Sequence, residues 1–237
     1  MVVGCSVRAR MMSIESSATV TRNQSPPTRS AIVVSTAASG SKTVFRARNV
    51  ALTLISLDVV TGYTREVVNE IADRVDVVIG AQSLGGFIVP LVSAKVPARA
   101  LVFVNAMIPS PGETPGAWWA DTGSLQARAA AAEQAGYATE FDPAVYFLHD
   151  VPREVVASGE PHQRLEADVV FGSVAGFDSW PSTPTRVVVG ADERFFPVEF
   201  QRNLARDRLG VVAHVLPGGH LIALARPLGL ANYLLSV

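Results

Sequence analysis

Apolar runs that alternate with segments of helical period are the main pattern along this chain. Between the runs, apolar residues recur at helical spacing, as Val67, Val68 and Ile71 do. Because strands that alternate with helices pair in parallel through right-handed crossovers, the pattern predicts an α/β fold built on a parallel sheet. The runs of β-branched and aliphatic residues predict strands at 31–35, 50–57, 75–79, 100–106, 185–190 and 211–216.

A serine stands at the expected turn between the run 75–79 and a following helix. The segment 80–86 reads Gly-Ala-Gln-Ser-Leu-Gly-Gly, which places Ser83 at the apex of a strand, turn and helix, the geometry of a nucleophile elbow. A hydroxyl at such a turn projects beside the first free N–H groups of the helix. Gly85 lets the helix leave the turn without a side chain against the strand, and Ala81 replaces the first glycine of the strict motif. Ser83 is therefore the candidate nucleophile.

An acid and a histidine follow downstream, in the chain order that a nucleophile elbow uses. The predicted strand 185–190 leads into Asp192 and Glu193, and the strand 211–216 leads through Pro-Gly-Gly to His220. Ligands of open α/β sheets lie beyond the carboxyl ends of the strands, so both loops are expected to meet the serine. His220 is the candidate general base, and either carboxylate is a candidate for the acid that orients it.

From about residue 65 to the C-terminus, the chain resembles the α/β-hydrolase superfamily, and within it the branch of small esterases and hydroxynitrile lyases. The resemblance implies an α/β-hydrolase fold, with a mostly parallel sheet, flanking helices and a helical cap insertion. It also implies a carboxylesterase-like serine hydrolase that needs no cofactor and forms an acyl-enzyme intermediate. Besides the serine turn, the resemblance rests on four segments, at 100–106, 109–116, 146–152 and 197–202.

The resemblance bears on the choice between the two carboxylates. In many members of the superfamily the catalytic acid stands four residues before a proline, and that spacing from Pro197 selects Glu193. Asp192 is the more usual residue type but falls one place early. Because adjacent loop side chains point in different directions, only one of the two is expected to reach the imidazole of His220.

The oxyanion formed in such a reaction needs N–H donors. The N–H of Leu84, directly after the serine, is the first candidate. In the superfamily the second donor comes from a loop with a His-Gly pair after the first predicted strand, but 36–42 reads Thr-Ala-Ala-Ser-Gly-Ser-Lys. The backbone of Ala37 is the candidate donor there. The segment is either a divergent loop or an altered terminus, and in the second case the N-terminal part of the fold is incomplete.

The predicted elements divide the chain into a tail, a core and an insertion. Residues 1–30 carry four arginines and no sustained period, which predicts a mobile tail. The α/β-hydrolase core comprises 31–106 and 185–237, and 107–184 is predicted to form a mostly helical cap. Aromatic residues are frequent in this cap, where they either line an apolar substrate or pack the cap onto the core. The candidates for substrate binding are Trp118, Trp119, Tyr146 and Phe147.

Composition and charge limit the classes of partner. The chain has 237 residues, 49% of them hydrophobic, and a net charge of −1, which favours one globular domain and no nucleic-acid or membrane partner. The uncharged stretch 77–94 contains glycines and a proline, which suit a turn and not a membrane span. The single cysteine, Cys5, agrees with a reducing, cytoplasmic location. We expect a small apolar ester as the partner. We expect no metal, since no histidines and carboxylates have metal-ligand spacing. The sequence does not indicate an oligomeric state.

Two other functions stay open. Hydroxynitrile lyases of this branch carry a lysine directly after the catalytic histidine, and Leu221 occupies that position here, which disfavours a lyase. A non-catalytic small-ligand-binding protein on a degenerate fold is the main alternative, supported by the missing His-Gly pair and opposed by the serine, acid and histidine candidates. His149 and Asp150 are a further candidate pair for proton handling, although their position before Pro152 favours a role at a helix end.

Overall fold

The structure, a computed structural model, describes residues 30–35, 43–47, 50–54, 60–72, 74–159 and 171–237. Within these residues the strands are β1 (Ser30–Ser35), β2 (Thr43–Ala47), β3 (Val50–Leu54), β4 (Val77–Ser83), β5 (Ala100–Ala106), β6 (Thr185–Gly190) and β7 (Ala213–Leu216). The helices are α1 (Val60–Ile71), α2 (Val89–Ser93), α3 (Pro115–Asp121), α4 (Ser124–Ala135), α5 (Pro143–Tyr146), α6 (Arg153–Gly159), α7 (Val198–Leu209), α8 (Ile222–Ala225) and α9 (Pro227–Ser236).

A five-stranded sheet in the order β1-β4-β5-β6-β7 forms the centre of the fold, and every neighbouring pair is parallel. This sheet, with helices between its strands in sequence, confirms the predicted α/β architecture. All of β5 is buried, and so is β4 up to Gln82. Strands of parallel sheets are covered on both faces, which explains why these two segments are nearly continuous apolar runs.

The starts of β4 and β7 differ from the predicted ones for a local backbone reason, while β1 begins one residue early and β4 extends to Ser83. The run that begins at 75 enters β4 only at Val77, because Asp76 has a left-handed φ of 53°. The run that begins at 211 enters β7 only at Ala213. There Gly210, with a φ of 66°, ends α7, and the N–H of Val211 is still bonded to a carbonyl of that helix. Strands β5 and β6 have the predicted bounds.

The strand β3 differs from the prediction in its pairing. The run 50–57 was expected as the next strand of the core sheet, but β3 forms its ladder with β2, in an antiparallel two-stranded sheet. Only two residues separate β2 from β3, a connection that permits an antiparallel hairpin and is too short for a parallel pair. The backbone of β3 nevertheless lies close beside β1.

The segment 107–184, predicted as a cap insertion, contains α3 to α6, and its described residues include no strand. A partly buried ion pair joins the start of this segment to the core, because Arg208 on α7 donates to both carboxylate oxygens of Glu113. The predicted mobile tail at 1–30, apart from Ser30 in β1, and the loop that holds Ala37 lie outside the described residues. In the described part of the chain, no helix combines the length and the apolar character needed to cross a membrane.

Candidate active site

Ser83 ends β4 in a backbone conformation that side-chain-bearing residues rarely adopt. Its φ is 53° and its ψ is −128°, and a turn of 3₁₀ helix, Leu84–Phe87, begins at the next residue. Such a strained turn between a strand and a helix is the backbone geometry of a nucleophile elbow. The carbonyl of Ser83 accepts the N–H of Met107 at 3.0 Å, which anchors the turn to the end of β5.

Gly86, which the sequence argument did not single out, is required by close packing at this turn. A Cβ at Gly86 would lie 1.7 Å from the carbonyl oxygen of Met107 and 3.3 Å from the ring of Phe103. No side chain fits at the first distance, so the turn can lie against β5 only with a glycine there. The second glycine of the Leu-Gly-Gly sequence was the available signal for this contact.

Of the two candidate oxyanion donors, Leu84 lies within the described residues and Ala37 does not. Leu84 is the first residue of the 3₁₀ turn and is buried, with 6% of its surface exposed. The N–H groups of a first helical turn have no acceptor within the helix, so the N–H of Leu84 is available to an oxygen bound near Ser83.

His220 and Glu193 form a buried pair beyond the carboxyl ends of β7 and β6. The Nδ1 atom of His220 lies 2.9 Å from Oε2 of Glu193, and the exposed fractions of the two side chains are 2% and 0%. The other carboxylate oxygen of Glu193, Oε1, accepts the N–H groups of Phe195 at 2.6 Å and of Phe196 at 3.1 Å. These bonds hold the carboxylate in one orientation, with one oxygen directed at the imidazole.

Asp192 points to a different partner. Asp192 is exposed. Its Oδ2 atom accepts the N–H of Gly218 at 3.3 Å, and its backbone N–H donates to the carbonyl of Gly218 at 3.0 Å. Asp192 therefore joins the loop after β6 to the loop after β7 through its carboxylate and its backbone N–H, both bonded to Gly218. Of the two adjacent carboxylates, Glu193 is the one that the structure places against His220.

Two buried amide side chains connect these loops to the serine turn, and sequence reasoning missed both. Nε2 of Gln82, the residue before Ser83, donates to the carbonyl of His220 at 2.8 Å. Asn105, near the end of β5, donates to the same carbonyl at 3.1 Å. The structure thus brings three segments together at one edge of the sheet. They are the serine turn at Ser83, the loop after β6 that carries Glu193 (the acid loop) and the loop after β7 that carries His220 (the histidine loop). Hydrogen bonds between residues more than a hundred positions apart have no local sequence signal.

The four aromatic candidates for substrate binding occupy different positions relative to His220. Phe147 stacks on the imidazole, with ring centroids 4.6 Å apart and an interplanar angle of 16°. Trp118 and Tyr146 are fully buried, and the indole N–H of Trp118 donates to a backbone carbonyl, so both pack the cap onto the core. Trp119 is half-buried and packs edge-on against Phe195, at 5.5 Å between centroids. Of the four, Phe147 is the ring in contact with the candidate general base.

A cation from the cap lies among these rings. The guanidinium carbon of Arg128 is 5.3 Å from the ring centroids of both Tyr146 and Phe195. Burial lowers the pKa of Arg128 and raises the pKa of Tyr146, because each charged form is poorly solvated there. The contact is a cation–π interaction that ties α4 to the loop that carries Glu193.

His149 and Asp150 lie against the histidine loop. Asp150 Oδ2 accepts the N–H of Gly219 at 2.7 Å, and a Cβ at Gly219 would lie 2.7 Å from the ring of His149. Both ring nitrogens of His149 and the Oδ1 atom of Asp150 are buried without a hydrogen-bond partner. The pair therefore supports the backbone next to His220 from the cap side. Among the described residues, no three histidine, cysteine or acidic side chains converge as metal ligands would.

The comparisons with known proteins agree with this architecture. The family model for the alpha/beta hydrolase family matches residues 35–232, so the chain belongs to that family. Among curated proteins, no match to this sequence is found.

Solved structures of several esterases have a similar fold. A pyrethroid hydrolase from Sphingobium faniae JZ-2 superposes with a TM-score of 0.63 at 18% identity, covering 88% of this chain and 96% of that one. Polyneuridine aldehyde esterase gives a TM-score of 0.64 at 15% identity and covers 88% and 98%. A methylesterase from Arabidopsis gives 0.55 at 17% identity and covers 78% and 84%. At such identities the likeness supports the fold alone.

Proposed function

We propose that this chain is a serine hydrolase that cleaves small carboxylic esters, with Ser83 as nucleophile, His220 as general base and Glu193 as the acid. The observation that carries the proposal is the buried contact of 2.9 Å between His220 and Glu193, in a loop bonded to the residue next to Ser83. A carboxylate on Nδ1 leaves Nε2 free to accept a proton, which is the arrangement a serine nucleophile requires. Membership in the alpha/beta hydrolase family agrees with hydrolysis.

The proposed reaction has two halves. In the first, Nε2 of His220 accepts the hydroxyl proton of Ser83 while the serine oxygen attacks the ester carbonyl, and the N–H of Leu84 donates to the resulting oxyanion. The imidazolium then gives its proton to the departing alcohol, which leaves an acyl group on Ser83. In the second half, His220 takes a proton from water, the hydroxide attacks the acyl carbon, and the serine recovers its proton as the carboxylic acid leaves.

The surroundings of His220 support the proposed substrate class. Phe147 and Phe195 contact the imidazole, so an acyl or alcohol group next to it meets apolar rings. Apolar walls with few polar groups favour a small ester without charge. An ester substrate is also consistent with the names of two proteins of similar fold, a pyrethroid hydrolase and a methylesterase. The single cysteine supports a cytoplasmic location as part of the proposal.

Hydrolysis of aryl acetates tests the proposal, with Ser83→Ala as the matched control. We expect 4-nitrophenyl acetate to be turned over by the native chain and methyl butyrate to react more slowly. A leaving alkoxide demands more oxyanion stabilisation, and Leu84 is the one donor assigned within the described residues; a missing donor lowers the rate by about 10²–10³. Binding of the ester without turnover, equal for the native chain and Ser83→Ala, would instead favour the non-catalytic binding protein.

A further inference from the structure

Asn105 is a buried polar residue that the proposed reaction does not use. Its exposed fraction is 0%, and it lies one residue before the end of β5. Its φ is 46°, in the left-handed region, which asparagine tolerates better than other side-chain-bearing residues. A buried amide in a strained backbone conformation costs stability unless its hydrogen bonds are made, so its partners are informative.

The single amide of Asn105 contacts both loops of the proposed triad. Its Oδ1 atom accepts the N–H of Gly190 at 2.8 Å, where β6 ends three residues before Glu193. Its Nδ2 atom donates to the carbonyl of Gly219 at 2.8 Å and to the carbonyl of His220 at 3.1 Å. The acid loop is thus bonded on one side of the amide and the histidine loop on the other.

The same two loops are in direct contact at Gly190. A Cβ on Gly190 would lie 2.1 Å from the carbonyl oxygen of Gly218, so the loops touch backbone to backbone. Gln82 donates to the carbonyl of His220 from β4, and this bond supports the histidine loop alone. Asn105 differs from Gln82 because its one side chain bonds both Gly190, at the end of β6, and the carbonyls of the histidine loop.

We propose that Asn105 is a positioning residue that sets the distance between His220 and Glu193. The expected effect of Asn105 on catalysis rests on the proposed function. The hydrogen bonds of Asn105 are present without any substrate. The role needs an acceptor and a donor on one short side chain. Asparagine supplies both, glycine supplies neither, and aspartate supplies both only when its carboxyl is protonated.

Three variants separate positioning from simple support of the fold. Asn105→Gly removes the amide and suits the left-handed φ, so the chain keeps its backbone conformation. We expect its kcat for 4-nitrophenyl acetate to fall by about 10–100-fold with KM within about threefold, because misplaced catalytic groups lose rate more than binding. Asn203→Asp, on the exposed side of α7, is the matched control for a change from amide to carboxyl and should leave kcat unchanged.

Asn105→Asp gives the most specific result. Burial and two facing carbonyls favour the neutral carboxyl. Its single O–H can donate to one of the two carbonyls that the amide bonds, so at low pH the variant should keep more of the native kcat than Asn105→Gly does. Ionisation as the pH rises removes the donor and sets a carboxylate against the carbonyls of Gly219 and His220. We therefore expect an alkaline loss of kcat that the native chain lacks. The titratable and charged groups on the bonded loops are His220, Glu193, Asp192 and Arg194, and His149 and Asp150 pack against Gly219. All six are common to the native chain and the variant.

A readout without substrate distinguishes failure of this proposal from failure of the proposed function. The proton between His220 Nδ1 and Glu193 Oε2 should give a low-field NMR signal in the native chain, and the Gly190 amide should exchange slowly. Asn105→Gly should broaden that signal and speed exchange at Gly190, whether or not esters are hydrolysed. An unchanged low-field signal in Asn105→Gly, or a kcat profile of Asn105→Asp identical to the native one, would overturn the positioning role even if the esterase activity is present.

Discussion

The imidazole of His220 faces Glu193 and not the adjacent Asp192. The Nδ1 to Oε2 distance is 2.9 Å and both side chains are buried, whereas Asp192 is exposed and bonds to the N–H of Gly218. One loop therefore presents two neighbouring carboxylates to two different partners on the loop after β7. The chemical roles of the two residues should differ accordingly.

Glu193→Gln should cost far more activity than Asp192→Asn. Oε1 of Glu193 already accepts two N–H groups, so a glutamine there turns its amide nitrogen toward His220 and favours the wrong tautomer. A change of this kind lowers kcat by about 10⁴-fold. Neutralising the exposed Asp192 should lower it less than about tenfold. Steady-state kinetics on aryl acetates measure both, and the reverse order would make Asp192 the acid.

Ser83→Ala and His220→Ala should each reduce kcat by about 10⁴-fold or more, and the double variant should be hardly worse than either one. Residues that act as a unit lose their joint function once one of them is removed. Circular dichroism and thermal melting check that each variant is folded. His220→Ala should melt at a lower temperature than Ser83→Ala, because it leaves a space beside Phe147 and removes the partner of the buried Glu193 carboxylate. Losses that multiply in the double variant would mean that the two residues act independently.

Gly219→Ala should destabilise the fold and weaken activity together. Its Cβ would lie 2.7 Å from Cε1 of His149 and 2.8 Å from Oδ1 of Asp150, so the cap or the histidine loop must move. Overpacking of this kind costs about 1–3 kcal/mol of unfolding free energy. Gly229→Ala is the control, because nothing lies within 4 Å of a Cβ there. Urea unfolding compares the two, and equal midpoints would show that the cap yields freely at Gly219.

The ion pair between Glu113 and Arg208 should contribute to stability where a surface pair does not. Their side chains are 7% and 16% exposed, and Arg208 also donates to the carbonyl of Ile108. Glu113→Gln leaves a partly buried guanidinium without its counter-charge, at a cost of up to about 3–5 kcal/mol, the range for a fully buried pair. Glu199→Gln, in a pair with 75% exposure of the glutamate, should cost less than about 1 kcal/mol. Denaturant titration that gives the same small loss for both would contradict this difference.

The sequence predicts this fold well where local chemistry decides the structure. The β-branched run at 185–190 and the aliphatic run at 100–106 became β6 and β5 with the expected bounds, because buried parallel strands are apolar throughout. The start of β4 was wrong by two residues, since the left-handed φ of Asp76 has no sequence mark. Pairing of β3 was also wrong, because apolar patterning alone does not select the partner strand.

The candidate site was predictable only in its outline. Ser83, the two carboxylates and His220 follow strands and stand in a recognisable chain order, so the sequence could place them at one edge of the sheet. The hydrogen bonds of Asn105 to Gly219 and His220 join residues 114 and 115 positions apart, and a local sequence pattern cannot predict such contacts. The exact role of each aromatic ring likewise depends on tertiary packing, which is why Trp118 proved to be a buried packing residue.

Reaction with a fluorophosphonate probe, followed by mass-spectrometric mapping of the labelled peptide, tests the central claim most directly. Covalent capture needs an activated serine and an oxyanion donor but no knowledge of the natural ester. The account predicts one phosphonylated residue, Ser83, with labelling abolished in Ser83→Ala and strongly slowed in His220→Ala. Absence of any adduct on the folded native chain, or an adduct on a different serine, would contradict a serine hydrolase centred on Ser83.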